Sequence, residues 1–106
     1  MSIYPKIAKK SKDNIVTLHM KVINNSDSDI RGYIHYKITL PSDRVEFLQS
    51  SEEEIVPSGG EINRYYNYII SDITEAGRYS VDGRFFWDEE NILSETYNND
   101  YFDVEE

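Results

Sequence analysis

Residues 15–40 read IVTLHMKVINNSDSDIRGYIHYKITL. The first run, Ile15 to Ile23, sets Val16, Leu18, Met20 and Val22 on one face and Thr17, His19 and Lys21 on the other. A second run, Ile30 to Leu40, sets Ile34, Tyr36, Ile38 and Leu40 opposite Tyr33, His35, Lys37 and Thr39. Successive side chains of an extended chain point to opposite faces, so a period of two reads as a strand with one buried side. Asn24-Asn25-Ser26-Asp27-Ser28-Asp29 separates the runs with residues that favour turns through local side-chain hydrogen bonds. Together the runs predict a long antiparallel hairpin. Pro41 ends it, because proline has no N–H to give to a ladder.

Outward from this stretch the same reading continues. A short strand is expected around Ile3 to Ile7, and edge strands at Val45–Leu48 and Ile55–Val56. Pro57-Ser58-Gly59-Gly60 is a turn signal, followed by a tyrosine-rich strand from Ile62 to Ile70. Tyr79 to Trp87 places Tyr79, Val81, Phe85 and Trp87 inward. Asp88-Glu89-Glu90-Asn91 makes a polar hairpin tip, Ile92–Tyr97 returns, Asn98-Asn99-Asp100 suggests a kink or bulge, and Tyr101–Val104 is the last strand. About seven strands with turn signals every ten or so residues are the pattern of an all-β sandwich. No window carries a helical period; Asp72 to Ala76 offers one turn at most.

At 106 residues the chain is the size of one domain, so residues 1–106 form a single unit. Apolar residues are 39% of it and aromatics 13%, enough for one core and too many for general disorder. There is no cysteine, hence no disulfide and no thiolate metal site. Residues 1–12 hold four lysines and no acid, while residues 13–106 hold seven basic and twenty acidic groups, giving the net −9. From Phe86 onward there are eight acids and no Lys or Arg. Such a surface repels phosphate backbones and is not expected to bind nucleic acid. No apolar run is long enough for a membrane span or a secretory signal. A complete chain would then be cytoplasmic, and an excised domain could belong to a cell surface.

Asp72-Ile73-Thr74-Glu75-Ala76-Gly77-Arg78-Tyr79-Ser80-Val81 resembles the entry into strand F of an immunoglobulin-like domain. In that corner a tyrosine two residues before an inward apolar position sends its hydroxyl back to upstream backbone. Tyr79 and Val81 match those positions, while the strand-C tryptophan of antibody domains is replaced by Tyr36 or Ile38. The wider pattern resembles bacterial immunoglobulin-like modules of the CARDB type. Its pieces are Val22-Ile23-Asn24-Asn25-Ser26, Ile55-Val56-Pro57-Ser58-Gly59-Gly60, Ala76-Gly77-Arg78-Tyr79 and Tyr101-Phe102-Asp103-Val104. That resemblance implies an immunoglobulin-like antiparallel β-sandwich used for adhesion, assembly or spacing, without an active site. In topology and turn placement the chain is also similar to the intracellular proteinase inhibitors of bacilli.

Residues that could carry chemistry do not converge. His19 and His35 lie on outward faces with no further ligand evident at their depth. No nucleophile-elbow, zincin or phosphate-loop pattern occurs, so catalysis is not expected, and no cofactor is implied. The acids at Asp27/Asp29, Glu52–Glu54 and Asp88–Glu90 lack the spacing of a calcium loop and read as solvated turns. Asn24-Asn25-Ser26 has the form of a glycosylation sequon and reads more simply as a turn. Lys21 faces the polar side, against a Lys–Asn isopeptide bond.

One constellation points to binding. If the strands holding Tyr33, Arg84 and Tyr101 share a sheet, its outer face carries Tyr33, His35, Lys37, Arg84, Phe86 and Tyr101. Tyr, Phe and Arg are enriched at interfaces, although tyrosines also suit strands for their own sake. The expectation is a non-catalytic protein-interaction or structural module whose partner is a protein, another copy included. The alternative is a proteinase inhibitor presenting either the Asp88–Asn91 tip or the Ser42–Glu54 loop.

Overall fold

The computed structural model describes the backbone of residues 1–50, 52–89 and 92–106, and the side chains of these except at 88, 89 and 92–98. The described residues form nine strands and no helix: β1 (Ser2–Tyr4), β2 (Ile7–Lys9), β3 (Ile15–Ile23), β4 (Ile30–Thr39), β5 (Val45–Gln49), β6 (Glu54–Val56), β7 (Glu61–Ile69), β8 (Gly77–Glu89) and β9 (Ile92–Glu105). They make two sheets. The small one has the order β1-β3-β7; the large one runs β2-β9-β8-β4-β5, with β6 also on β4. All pairs are antiparallel except β2–β9, which is parallel, so the large sheet is mixed rather than purely antiparallel.

The predicted β3–β4 hairpin does not form. β3 pairs with β1 and β7, and β4 pairs with β8, β5 and β6 in the other sheet. Each strand has one apolar face, and the two faces are buried against each other across the core instead of side by side. A tight hairpin uses a loop of about two to five residues, whereas residues 24–29 are long enough to cross between layers about 10 Å apart. Asn24 anchors the crossing. It is 2% exposed, its amide Nδ2 donates to the carbonyls of Ser28 (2.9 Å) and Val56 (3.0 Å), and its Oδ1 accepts from Ser26 N–H (2.9 Å) and the Ser26 hydroxyl (2.6 Å). The asparagine of the apparent sequon thus holds the turn to β6.

Two further expectations change. The single N-terminal strand is two strands in different sheets, with the cis Tyr4–Pro5 peptide between them. The bulge expected at Asn98–Asp100 is absent, because β8 and β9 keep one unbroken register from Gly77↔Val104 to Glu89↔Ile92. Polar residues there read as a break, but the long partner strand supplies a ladder partner at every position. Of the tip expected at Asp88–Asn91, Asp88 and Glu89 belong to β8 and pair with β9, and residues 90 and 91 lie outside the described residues.

Alternation decides what is buried. Val16, Leu18 and Met20 from the small sheet meet Ile34, Ile38, Val81 and Phe85 from the large one in a single core. Tyr79 and Phe102 are fully buried at one end, with rings stacked at 4.8 Å. The Tyr79 hydroxyl donates to the Glu75 carbonyl at 2.8 Å, the upstream backbone bond expected of that corner. Gly59 turns the chain into β7 with φ +67°, a left-handed conformation that glycine adopts without a Cβ penalty, and Gly60 N–H closes the turn on the Pro57 carbonyl at 2.9 Å.

Candidate functional site

The outer face of the large sheet is built from cross-strand rows. Tyr33 opposes Phe86; His35 opposes Arg84 on one side and Gln49 on the other; Lys37 opposes Asp82 and Phe47. Phe85 is buried and Phe86 turns outward, as strand parity requires. Four residues named from the sequence, Tyr33, His35, Arg84 and Phe86, are thereby brought together. His35 lies between two phenylalanines, with ring centroids 5.5 Å from Phe47 and 5.8 Å from Phe86 in an edge-on contact. Its Nδ1 is buried and has no hydrogen-bond partner among the described residues. Arg84 donates to Asp82 Oδ2 from Nε (3.1 Å) and a terminal nitrogen (2.8 Å), which fixes a charge at the margin of the aromatic group.

Phe47 was not singled out from sequence, yet it is 64% exposed and is the most open large apolar group on this face among the described residues. It lies in β5, the edge strand expected at Val45–Leu48, which the inhibitor alternative counts within its Ser42–Glu54 loop. The signal was the alternation of Val45 and Phe47 with Glu46 and Leu48, where Leu48 is the residue packed on the core. Val45 and Ile55, 41% and 44% exposed, extend the apolar character along the same edge.

Tyr101 does not join this group. Its β9 position opposes Ser80, which opposes Thr39, six residues along β4 from Tyr33 and hence about 20 Å away. There it is held by charge: Lys6 Nζ lies 4.6 Å and the Arg78 guanidinium 4.0 Å from its ring centre. Arg78 forms a two-pronged pair with Asp103 (2.9 and 3.2 Å), and Lys6 pairs with Asp100. Hydrogen bonds from Arg78 hold the Asp103 carboxyl below its ordinary range. Partial burial pushes Asp100 the other way, but Lys6 and the Tyr101 N–H outweigh it and the carboxyl is also lowered. The face is therefore divided. One half is aromatic and in part exposed; the other is a network of ion pairs around Tyr101, beside a depression of about 590 Å³ that Lys37, Asp82 and Asp100 help to line.

The remaining chemistry is sparse. His19 sits on the outer face of the small sheet, stacked on Tyr65 at 4.6 Å with its Nε2 2.8 Å from Asn63 Oδ1. Among the described residues no group of three or more His, Asp and Glu could hold a metal ion. Among the described residues no helix is long and apolar enough to cross a membrane.

No family model matches this sequence, and no curated protein does. Among solved structures the chain is similar to a Pseudomonas fluorescens alkylpurine DNA glycosylase, AlkC, bound to DNA containing an abasic site analog. The TM-score is 0.71 at 10% identity, over 98% of this chain and 29% of that one. The chain thus spans less than a third of the glycosylase's length, and at this identity the two share a fold.

Proposed function

We propose that this chain is a non-catalytic, immunoglobulin-like module that binds a protein through the aromatic half of its large sheet. The observation that carries the reading is His35 set between Phe47 and Phe86, with Tyr33 alongside and Phe47 largely in water. Exposed aromatics grouped in register, with an arginine at the margin, have the composition of an interface centre. The unpartnered Nδ1 of His35 adds a polar group that a ligand can satisfy. The Tyr79 corner and the strand order support the immunoglobulin-like assignment and, with it, the resemblance to CARDB-type modules.

The DNA held by the glycosylase is not carried over. A net charge of −9 works against a phosphate backbone. The inhibitor reading has less to draw on, since β5 (Val45–Gln49) pairs the middle of the Ser42–Glu54 segment into the sheet. Affinity capture with the wild-type chain, Phe47→Ala and Tyr33→Ala tests the reading. Each variant is expected to keep its melting temperature and to lose partner binding by about tenfold or more. A partner retained equally by all three proteins, or saturable inhibition of a proteinase by the wild type, would replace it.

A further inference from the structure

Of the strands that end the two sheets, all but one are short; β9 also keeps an edge that β2 covers only at Asp103–Glu105. β1, β2 and β6 have three residues each and β5 has five, whereas β7 runs for nine. β7 pairs with β3 on one side only. The bonds Asn24 N–H to Gly60 O and Ile70 N–H to Asn14 O, both 2.9 Å, extend the β3–β7 register at each end. Bonded pairs alternate in an antiparallel ladder, so the even-numbered residues of β7 face β3. Glu61, Asn63, Tyr65, Asn67 and Ile69 consequently turn their N–H and C=O groups away from the sheet. Among the described residues the only bond to these outward groups is from Arg64 to the Asn63 carbonyl, 2.8 Å.

Long edges are ordinarily blunted by lysine, proline or a bulge. β7 reads EINRYYNYI, with no proline, no lysine and an unbroken register. Its outer face is also fixed in place. Tyr65 stacks on His19 with the rings 12° from parallel, Asn67 Oδ1 accepts from the Thr17 hydroxyl at 2.9 Å, and Asn63 is bonded to His19 and Glu61. Little side-chain entropy remains to be lost when a strand is added.

We propose that β7 pairs antiparallel with β7 of a second copy, about a two-fold axis at Tyr65, joining two small sheets into one of six strands. This register uses all nine residues and sets Tyr65 against Tyr65, Asn63 against Asn67 and Glu61 against Ile69. On the other face Arg64 meets the ring of Tyr66, a cation–π pairing. No charge opposes its like. Centring the axis on Arg64 instead would set two guanidinium groups together, which selects the Tyr65 register. A closed two-fold contact of this kind uses the same edge on both copies and leaves no strand of β7 exposed.

Sedimentation equilibrium of the full chain is expected to show a dimer, and Tyr65→Lys to weaken it by about tenfold or more by placing two ammonium groups across the axis. Amide exchange of the wild type needs no variant. The Tyr65 and Asn67 amides should be protected at high concentration and released on dilution, while those of Arg64 and Tyr66 stay protected throughout. A chain that is monomeric at every concentration overturns the inference, even if it captures an extended segment of another protein. So does a dimer whose Tyr65 and Asn67 amides exchange freely. A dimer split by Phe47→Ala but not by Tyr65→Lys also overturns it, and would place the contact on the large sheet.

Discussion

Two tyrosines of this core are almost equally buried and live in different surroundings. Tyr79, fully buried where the chain enters β8, has its hydroxyl on the Glu75 carbonyl, its face on Phe102 and its edge 5.7 Å from the Tyr68 ring. Tyr68 in turn bonds Glu46 at 3.2 Å. Tyr36, 5% exposed in the middle of β4, has a hydroxyl with no partner among the described residues, and its ring contact is a tilted one with Tyr66 at 6.2 Å. It lines a groove of about 380 Å³ between β5 and β7, bordered by Leu48, Tyr66 and the Arg64–Glu54 ion pair. The sandwich is closed where the chain itself turns a corner between sheets. It stays open on the side where β7 has no second strand. Closed and open sides should therefore respond differently to the same kinds of change.

The largest difference is expected from truncation. Phe102→Ala, at the closed end, should cost about 3–5 kcal/mol, because a fully buried ring leaves a cavity that its stacked neighbours cannot fill. Leu48→Ala, on the open side, removes a half-buried side chain next to solvent and should cost less than half of that. Denaturant unfolding of the two variants reads both values. Equal losses would mean that the open side is packed as tightly as the corner.

Alkaline pH probes both regions together. Burial pushes the phenols of Tyr36 and Tyr79 up to about 12, and burial with the Glu46 charge pushes Tyr68 up as well. A phenol whose folded pKa lies above its unfolded value of about 10 stabilises the fold fully below pH 10. That stability is lost as pH rises from about 10 through about 12. Thermal melts should accordingly be flat through neutral pH and fall in this window. An unchanged melting temperature up to pH 12 would show that none of the three phenols is desolvated.

How much of this was legible follows from what each signal encodes. Alternation is local, so β3, β4, β7 and the start of β8 were read within a residue or two, and Phe86 was placed outward from its neighbours alone. The Tyr79 corner was legible because its partner is four residues upstream. Pairing between strands is not local. Nothing in the Asn24–Asp29 turn says whether β3 and β4 lie side by side or face to face. That choice is made by Asn24 reaching Val56, thirty-two residues away. The site split for the same reason: parity put Tyr101 on the correct face, but only the register, with Lys6 arriving from the far terminus, sets it apart from Phe86. Phe47 was missed although its edge strand was expected, because so short a strand carries too few alternations to say which of its sides meets the core.

The finest contrast is a single oxygen atom. Tyr79→Phe removes the hydroxyl but leaves the Glu75 carbonyl behind without its donor, in a corner where the backbone is held by that bond. A lost hydrogen bond with one partner stranded costs about 1–2 kcal/mol. Tyr36→Phe removes a hydroxyl of nearly the same burial whose protein partner is already missing, so no protein group is stranded. Its stability should change by less than about 0.5 kcal/mol, and a gain is allowed, since burying an unbonded hydroxyl is itself unfavourable. The two variants, unfolded side by side in denaturant at neutral pH, isolate this term because each keeps its ring. If Tyr36→Phe costs as much as Tyr79→Phe, the Tyr36 hydroxyl is bonded in solution, and the open side is as fully satisfied as the corner.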